Sequence, residues 1–227
     1  MTTPPKWQAH EVAGYDTEMA AKCATLLVDI QADQARRLAI LDDPRDLHRE
    51  LFGSFAPAAY PEYAGTYRGA VGTSLQGRVS GSDSQFPDGK AYTFVPPLEV
   101  DGRITRLMSA LRDFLSGSAP GQYSNLLALA YGFCWFGKIH PFLDGNGHVQ
   151  RAIFAAMATE LGYPLSPRFA IHPRPYDRLL AIALETFTTA PPETADGEVG
   201  LVAEYLAFFL DGPFDAVRAH LPMASPY

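Results

Sequence analysis

The hydrophobic positions of this chain repeat with a helical period over most of its length. Apolar residues three and four positions apart indicate amphipathic or buried helices. Asp16 is expected to cap the first helix and Pro44 to end it. Ser124 is expected to cap the third helix. Six helices are predicted in this way: 16–41, 100–115, 125–138, 147–161, 176–188 and 198–210.

A different pattern separates the first helix from the others. Residues 53–90 are rich in Gly, Ser, Pro and Asp, and the stretch Gly77–Lys90 predicts a loop or a ragged hairpin. Ala91–Val95 has the composition of a strand, which Pro96 and Pro97 end. We therefore predict a mainly α fold, a helical bundle with a small β-hairpin before the central helices. Residues 16–212 form one domain in this interpretation, with loose tails at 1–15 and 213–227.

Composition narrows the kinds of partner. The chain has 227 residues, 47% of them hydrophobic, and a net charge of −7. An acidic protein is a poor general binder of nucleic acid or anionic lipid, so we expect neither a nucleic-acid nor a membrane partner. Without a basic-then-apolar leader, we expect a cytoplasmic protein of bacterial origin, and delivery into a host cell stays open. Cys23 and Cys134 are expected to be buried, reduced thiols.

The residues that suggest chemistry lie in the segment 140–151, which reads HPFLDGNGHVQR. Gly145, Asn146 and Gly147 permit a tight turn with positive φ, and successive N–H groups in such a turn form a nest for an anion. The turn leads into a helix, whose N-terminus adds free N–H groups and the positive end of its dipole. The segment therefore predicts a phosphate-binding site.

Three further side chains complete that prediction. A carboxylate beside a phosphate is repulsive unless a cation lies between them, so Asp144 implies Mg²⁺. Arg151 lies one helical turn into the helix and can donate back to a phosphate oxygen. A neutral imidazole at His140 can take a proton from an incoming hydroxyl. A base, an anion nest, a metal carboxylate and an arginine are what phosphoryl transfer requires.

The same segment resembles the signature of the Fic family, His-Pro-Phe-x-Asp/Glu-Gly-Asn-Gly-Arg/Lys-x-x-Arg. Other segments agree in order: 47–52 (LHRELF) followed by Tyr63–Arg68 (YAGTYR) is similar to an upstream landmark, and 94–97 (FVPP) to the end of the family's β-hairpin flap. The resemblance covers roughly residues 45–210. It implies a Fic-type helical bundle that transfers AMP from ATP to a Ser, Thr or Tyr hydroxyl of a target protein.

The resemblance also implies a role for each residue of the signature. His140 is the expected base, and His140, Asn146 and Arg151 are the expected catalytic residues. Gly145, Asn146, Gly147, His148 and Arg151 are expected to bind the donor ATP. Asp144 is expected to hold Mg²⁺, and the flap at about 91–95 to align the protein substrate by strand addition.

His148 departs from the signature, which has Arg or Lys at that position. An imidazole is shorter than Arg and mostly neutral at pH 7. Two hypotheses follow. Either His148 is a tolerated variant that binds triphosphate more weakly and works better as the pH falls toward about 6, or it marks another donor, such as GTP, UTP or CDP-choline, or phosphate transfer.

The sequence leaves two possibilities open for how the activity of the site is inhibited. Many relatives carry an inhibitory helix with the pattern Ser/Thr-x-x-x-Glu-Gly/Asn. Thr189 and Glu193 have that spacing, but two prolines between them exclude a regular helix. The chain is therefore expected to lack inhibition in cis, or to have a separate small antitoxin partner.

A degenerate module that binds a partner without catalysis also stays possible, whereas a zinc site from His140, His148 and His172 lacks ligand spacing.

Overall fold

The structure is a computed structural model, and it describes residues 5–85, 91–117, 121–175, 178–189 and 195–211. Eight helices and two strands account for most of these residues. The helices are α1 (Tyr15–Ala32), α2 (Gln34–Asp42), α3 (Pro44–Phe52), α4 (Val100–Ser116), α5 (Gln122–Ile139), α6 (Asn146–Glu160), α7 (Arg178–Thr189) and α8 (Ala195–Leu206). The strands are β1 (Gly81–Gln85) and β2 (Ala91–Thr93).

Helices α5 and α6 form the centre of the bundle. α5 packs against α4, α7 and α8, while α6 packs against α1 and α2, and the two central helices contact each other. Their sequences explain this position, because α6 is apolar on nearly all sides, from Val149 to Ala158, and a helix that is apolar all round must be buried. The link between α5 and α6 is the segment 140–145, so the predicted phosphate site lies in the middle of the fold.

Strands β1 and β2 form the small hairpin that precedes the central helices. They pair antiparallel, with Gly81 opposite Thr93 and Gln85 opposite Ala91, and an irregularity lies between these two pairs. β2 begins at Ala91 as predicted, and it ends at Thr93. The chain then returns to the end of α5, where the N–H of Val95 donates to the carbonyl of Lys138 at 3.3 Å. The mainly α bundle with a small β-hairpin, predicted from the sequence, is confirmed.

The first predicted helix, 16–41, is two helices in the structure. Its apolar period continues through the break, but Asp33 adopts an extended conformation and its side chain accepts a hydrogen bond from the N–H of Ala35 at 2.8 Å. This contact caps α2 and separates it from α1. α1 also begins differently from the prediction, since Gly14 in a left-handed conformation precedes it and Asp16 lies in its first turn.

The N-terminal segment, 1–15, was predicted to be a loose tail, but Trp7 and Ala9 within it are buried against the core, while residues 10–14 are exposed. Trp7 is 6% exposed, and its indole N–H donates to the carbonyl of Phe55 at 3.0 Å. Ala9 begins a short 3₁₀ turn and is also buried. A single Trp can anchor a segment that has no regular hydrophobic pattern of its own, so nothing in the sequence indicated this contact.

Other predicted boundaries moved by a few residues. α5 begins at Gln122 after Gly121, so Ser124 lies inside the helix. α8 ends at Leu206, and a 3₁₀ turn continues the predicted helix over Ala207–Phe209. The predicted C-terminal tail, 213–227, lies outside the described residues, as do positions 190–194, which contain most of the Thr189 to Glu193 pattern.

Candidate active site

His140 is the first residue after α5, and its backbone leaves the helix abruptly. It has φ 51° and ψ 61°, which is the left-handed region, and its N–H donates to the carbonyl of Phe136 at 2.9 Å. Among the residues that the structure describes, it is the one non-glycine residue with positive φ. The prediction that the chain is not helical at His140 is confirmed. Such a conformation costs free energy in a residue with a Cβ and persists only where neighbours hold it.

The imidazole of His140 is uncharged in this environment. Burial, and then the positive charge of Arg68, lower its pKa to about 3, although a hydrogen bond to the backbone of Gly137 opposes the shift. The ring of Phe94, from the end of the hairpin, stacks on the imidazole with centroids 3.8 Å apart and planes 10° apart. His140 therefore carries the neutral form that a base requires, with one face of its ring covered.

Gly145 turns the chain between His140 and α6. It has φ +76°, and a Cβ at this position would lie 2.4 Å from Cε2 of Phe52. No other residue fits, because a side chain would meet both the left-handed backbone and the aromatic ring. Phe142 is fully buried under the same turn, where it stacks on His48 with ring centroids 3.8 Å apart.

Asn146 shapes the turn from inside. Its Oδ1 accepts from the N–H of Phe142 and its Nδ2 donates to the carbonyl of Phe142, both at 2.8 Å. The residue is 5% exposed, so the amide is occupied in closing the turn. The structure thus shows a positioning role for Asn146, and the direct catalytic role given to it by the resemblance stays a prediction.

The carboxylate of Asp144 lies at the mouth of the turn and is only partly buried. Its Oδ1 accepts from the N–H of Gly145 at 2.7 Å, and its Oδ2 accepts from the N–H of Ala9 at 2.8 Å. Its backbone carbonyl is 3.0 Å from Nε2 of His48. Because Nδ1 of His48 accepts from the N–H of Gly65 at 2.8 Å, Nε2 carries the proton and donates to Asp144.

The chemistry of this carboxylate fits Mg²⁺ in one specific way. Within the described ranges, no group of three His, Cys, Asp or Glu side chains is placed to hold a metal ion. Mg²⁺ commonly binds through one or two carboxylates together with the phosphates of its substrate, and keeps waters in the other positions. Asp144 is a hard oxygen ligand of this kind, so it suits a metal that arrives with the donor.

The N-terminal turn of α6 carries Gly147, and Arg151 folds back over it. The first intrahelical bond is donated by His148 to the carbonyl of Gly145, at 3.0 Å, which leaves the amides of Asn146 and Gly147 before the bonded part of the helix. A Cβ on Gly147 would lie 3.0 Å from Nη1 of Arg151. The arginine is 3% exposed, and its Nε donates to the carbonyl of Ile171 at 2.7 Å. The predicted proximity of Arg151 to the turn is therefore present.

His148 is paired with a second histidine that sequence reasoning used only for a rejected zinc site. Nε2 of His148 lies 3.1 Å from Nδ1 of His172. The ring of His148 also meets Tyr15 and Phe52 edge-on, with centroids 6.5 and 5.4 Å away. On the far side, Nε2 of His172 is 3.8 Å from the exposed carboxylate of Asp16. A carboxylate there favours a proton on Nε2 of His172, so Nδ1 accepts the proton of His148.

The pKa of His148 changes one sequence-based expectation. Burial, and then the charges of Arg151 and His172, lower it to about 3. The titratable groups that face this ring are Tyr15 of α1, His48 of α3, Arg151 of α6 and His172, and Asp16 of α1 lies beyond them, on the far side of His172. A histidine with such a pKa stays neutral at pH 6 in the absence of a bound anion. The expected rise in activity toward pH 6 therefore lacks its cause in the free protein.

The structure brings together His140, Asp144, Gly145, Asn146, Gly147, His148 and Arg151 around one turn, and the roles given to them stay predictions. It also adds residues that the sequence did not single out as functional: Arg68, His48, His172, Phe94 and Ala9. His48 and Arg68 lie in or beside the upstream landmark, which was the available signal. Ala9 had none.

A family model matches this arrangement. The model of the Fic/DOC family aligns with residues 40–158, more than half of the chain, and includes the whole turn and most of α6. The chain belongs to the Fic/DOC family. The match begins within α2 and ends near the C-terminus of α6. It leaves out α1, which packs against α6, and α7 and α8, which pack against α5.

One curated relative supports the same assignment. The chain is 28% identical over 155 residues to a protein from Nematostella vectensis named protein adenylyltransferase Fic. The alignment covers 68% of this chain and 30% of that protein, so the chain spans less than a third of the relative's length.

Solved structures of Fic domains from Bartonella share the fold. An effector domain from Bartonella sp. AR 15-3 superposes with a TM-score of 0.54 at 16% identity, over 87% of this chain and 82% of that one. The Bep8 domain from Bartonella sp. 1-1C gives 0.53 at 16%, over 89% and 90%. A putative cell filamentation protein from Bartonella quintana gives a TM-score of 0.55 at 15% identity, over 92% of this chain and 90% of that one.

None of the helices that the structure describes is long and apolar enough to cross a bilayer.

Proposed function

We propose that this chain transfers AMP from ATP to a Ser, Thr or Tyr hydroxyl of a target protein. The observation that carries the proposal is the placement of a neutral His140 at one end of a glycine turn whose other end is the N-terminus of α6. Membership of the Fic/DOC family and similarity to a protein named adenylyltransferase support it.

His140 is the proposed base. One ring nitrogen is engaged by its hydrogen bond to the backbone of Gly137, so the other is free to accept the proton of the target hydroxyl. As that proton moves to the imidazole, the hydroxyl oxygen forms a bond to the α-phosphorus of ATP. The bond from that phosphorus to the bridging oxygen breaks, and pyrophosphate leaves with the electron pair. The negative donor raises the basicity of His140, because a nearby anion favours the protonated imidazole.

The turn and the start of α6 are the proposed donor site. The amides of Asn146 and Gly147 precede the bonded part of the helix and lie at its positive end, where phosphate oxygens bind favourably. Arg151 places its guanidinium beside Gly147 while Ile171 holds its Nε. Nη1 and Nη2 would lie 3.0 and 3.9 Å from a Cβ on Gly147, so both nitrogens are next to the turn. Asp144 would hold Mg²⁺, which neutralises charge on the donor phosphates.

The hairpin is the proposed contact for the protein substrate. β2 pairs with β1 along one edge, and a peptide can add as a strand along the other. Phe94 follows β2 directly and stacks on His140, so a strand bound there would be held next to the base. A separate small antitoxin protein as an inhibitor also belongs to this proposal.

The test uses ATP labelled in one phosphate at a time. Compared with the same lysate alone, purified protein with Mg²⁺ is expected to add label from the α-phosphate, and none from the γ-phosphate, to protein. Mass spectrometry of the labelled bands is expected to show AMP on a hydroxyl side chain, and His140→Ala is expected to remove the signal. Transfer of γ-label, or equal labelling by His140→Ala, would contradict the proposal.

A second candidate is transfer from a different donor at the same site. The observation in its favour is the pairing of His148 with His172, which replaces the fixed charge of the family's Arg or Lys by a neutral ring. Less positive charge near the turn favours a donor with less negative charge. Transfer rates with ATP, GTP, UTP and CDP-choline at equal concentration decide between the two, since AMP transfer requires ATP to be the fastest.

A further inference from the structure

Arg68 is a buried cation whose partners are backbone carbonyls. It is 1% exposed, and none of the described carboxylates forms an ion pair with it. Its Nε donates to the carbonyl of His140 at 2.6 Å, and its Nη2 donates to the carbonyl of Ile139 at 2.7 Å. Burial of a charge is unfavourable unless nearby dipoles compensate it, and here those dipoles belong to the residue proposed as base and its neighbour.

A third bond extends this contact along the backbone. The N–H of Arg68 donates to the carbonyl of Pro141 at 2.8 Å, so three consecutive carbonyls, from residues 139 to 141, bond to one residue. The last carbonyls of a helix have no partner within it, and they form the negative end of its dipole. Arg68 therefore closes the C-terminus of α5 with both its side chain and its backbone.

The conformation of His140 depends on this closure. A left-handed backbone at a residue with a Cβ is unfavourable alone, and the two carbonyls on either side of the His140 Cα are those that the guanidinium holds. The fork of Arg68 is planar and rigid, so it fixes the direction of both carbonyls at once. Lys could reach one of them with a single flexible ammonium.

The segment around Arg68 is itself held in place. Gly69 has φ +90°, and a Cβ on it would lie 2.0 Å from the carbonyl oxygen of Pro97. Pro97 follows the hairpin, whose Phe94 covers the ring of His140. Backbone contact at Gly69 thus joins the position of Arg68 to the end of the hairpin.

We propose that Arg68 is a positioning residue for the transfer reaction, which holds the end of α5 so that the imidazole of His140 points at the incoming hydroxyl. The inference rests on the proposed function, in which His140 is the base. The charge of Arg68 has a second effect, because it opposes protonation of the neighbouring imidazole.

The test compares Arg68→Lys and Arg68→Met with the control Arg103→Met. Arg103 is a surface arginine that pairs with Glu99 at 3.0 Å, far in sequence from the turn. Because a misplacement of about 1 Å can lower a rate by about 100-fold, we expect kcat to fall by that order in Arg68→Lys and the donor Kd to change by less than about threefold. The control is expected to keep the wild-type kcat and Kd.

NMR of the His140 side chain and backbone separates charge from position without relying on activity. In Arg68→Lys the pKa of His140 is expected to stay well below its usual value, since the charge is kept, while its Cα and Cβ shifts leave the left-handed range. In Arg68→Met the Cα and Cβ shifts are expected to change in the same way, and the pKa is expected to rise but to stay below the ordinary value of histidine, because burial, the larger cause of its depression, remains.

Three results would overturn the inference. They are a wild-type kcat in Arg68→Lys, left-handed shifts of His140 in both variants, and a loss of donor binding in place of a loss of kcat. If Arg68→Met does not fold, which circular dichroism shows, the Lys variant decides alone. If wild-type protein transfers nothing to any hydroxyl, the proposed function fails, and the NMR comparison still decides whether Arg68 holds His140.

Discussion

The two ends of the turn between α5 and α6 are held by different kinds of contact. At the His140 end, Arg68 bonds to backbone carbonyls and Phe94 covers the ring. At the His148 end, a side chain bonds to another side chain, that of His172, across 3.1 Å. Backbone contacts constrain where the chain runs, whereas a side-chain pair can be exchanged by two substitutions. The first end agrees with the family signature, and the second is where the sequence departs from it.

The largest effect is expected at the His140 end. His140→Ala removes the group that takes the hydroxyl proton, and a positioned base contributes about 100- to 10,000-fold to the rate. Transfer is expected to fall by that factor, with donor Kd and circular dichroism unchanged, because the imidazole does not touch the phosphates in the proposed geometry. Residual transfer within tenfold of wild type would assign the base to another residue.

The turn itself is expected to tolerate no side chain. Gly145→Ala combines a left-handed Ala with a Cβ 2.4 Å from the ring of Phe52. Left-handed backbone costs about 1–2 kcal/mol and overpacking about 1–3 kcal/mol, so the free energy of unfolding should fall by about 2–5 kcal/mol.

Gly162→Ala is the matched control for that substitution. Gly162 has φ +77°, against +76° for Gly145, but nothing lies within 4 Å of its added Cβ. Chemical denaturation should show a loss of only about 1–2 kcal/mol, which is the backbone cost alone. Equal losses in the two variants would show that Phe52 yields without cost.

Low pH is expected to lower the stability of the folded protein through buried histidines at both ends of the turn. Burial lowers the pKa of His48, His140 and His148 to about 3 each. The unfolded chain takes up protons on these residues below about pH 6.5, whereas the folded protein does not until about pH 3. Stability is therefore full above pH 6.5 and falls as the pH decreases, by about 1.4 kcal/mol per pH unit for each histidine.

Urea titrations between pH 7 and pH 4 measure this dependence. Replacement of His48, which is fully buried and stacked on Phe142, is unsuitable for the comparison because it would also disturb packing. The variant His148→Asn is expected to reduce the pH slope of the free energy of unfolding by about 1.4 kcal/mol per pH unit, the contribution of one histidine. A free energy of unfolding that does not change between pH 7 and pH 4 would mean that these histidines are protonated in the folded protein as readily as in the unfolded chain.

At the His148 end, we expect the affinity for ATP to change by about tenfold, and only when His148 and His172 are replaced together. His148→Arg alone introduces a second cation beside Arg151 and leaves His172 without its partner. With His172→Ala, the new Arg gains room and a fixed charge, and a charge-assisted hydrogen bond of about 1.5–3 kcal/mol corresponds to at least tenfold tighter binding. Calorimetry with ATP should show this gain in the double variant, compared with His172→Ala. Loss of transfer from every donor in the double variant would instead make the neutral pair essential.

The smallest effect concerns the N-terminal segment. Ala9→Pro deletes the N–H that donates to Asp144, and it suits the backbone because Ala9 is the first residue of a 3₁₀ turn and Gln8 before it is extended. The free energy of unfolding should fall by about 1 kcal/mol, the net value of one hydrogen bond. A double-mutant cycle with Asp144→Asn should recover most of that loss as coupling. Independent, additive losses would show that this contact does not contribute to stability.

The parts of the fold and the site that depend on local contacts could be predicted from the sequence, and the parts that depend on distant contacts could not. The segment 140–151 could be interpreted correctly as a turn into a helix because Gly145, Asn146 and Gly147 determine their own geometry. The break at Asp33 was missed, since its cap competes with a hydrophobic period that continues across it. The pairing of His148 with His172, and the hold of Arg68 on His140, depend on contacts between distant segments, and hydrophobic periodicity contains no information about those.

The hydrogen bond between Ala9 and Asp144 joins residues 135 positions apart. Closing such a separation is entropically expensive and slow relative to the formation of any single helix. Ala9 can bond to Asp144 only after α5 and α6 have met, which requires most of the chain. The mouth of the site is therefore expected to be among the last parts of the protein to assemble, so that a folding intermediate with all its central helices in place would still have an open and unfinished site.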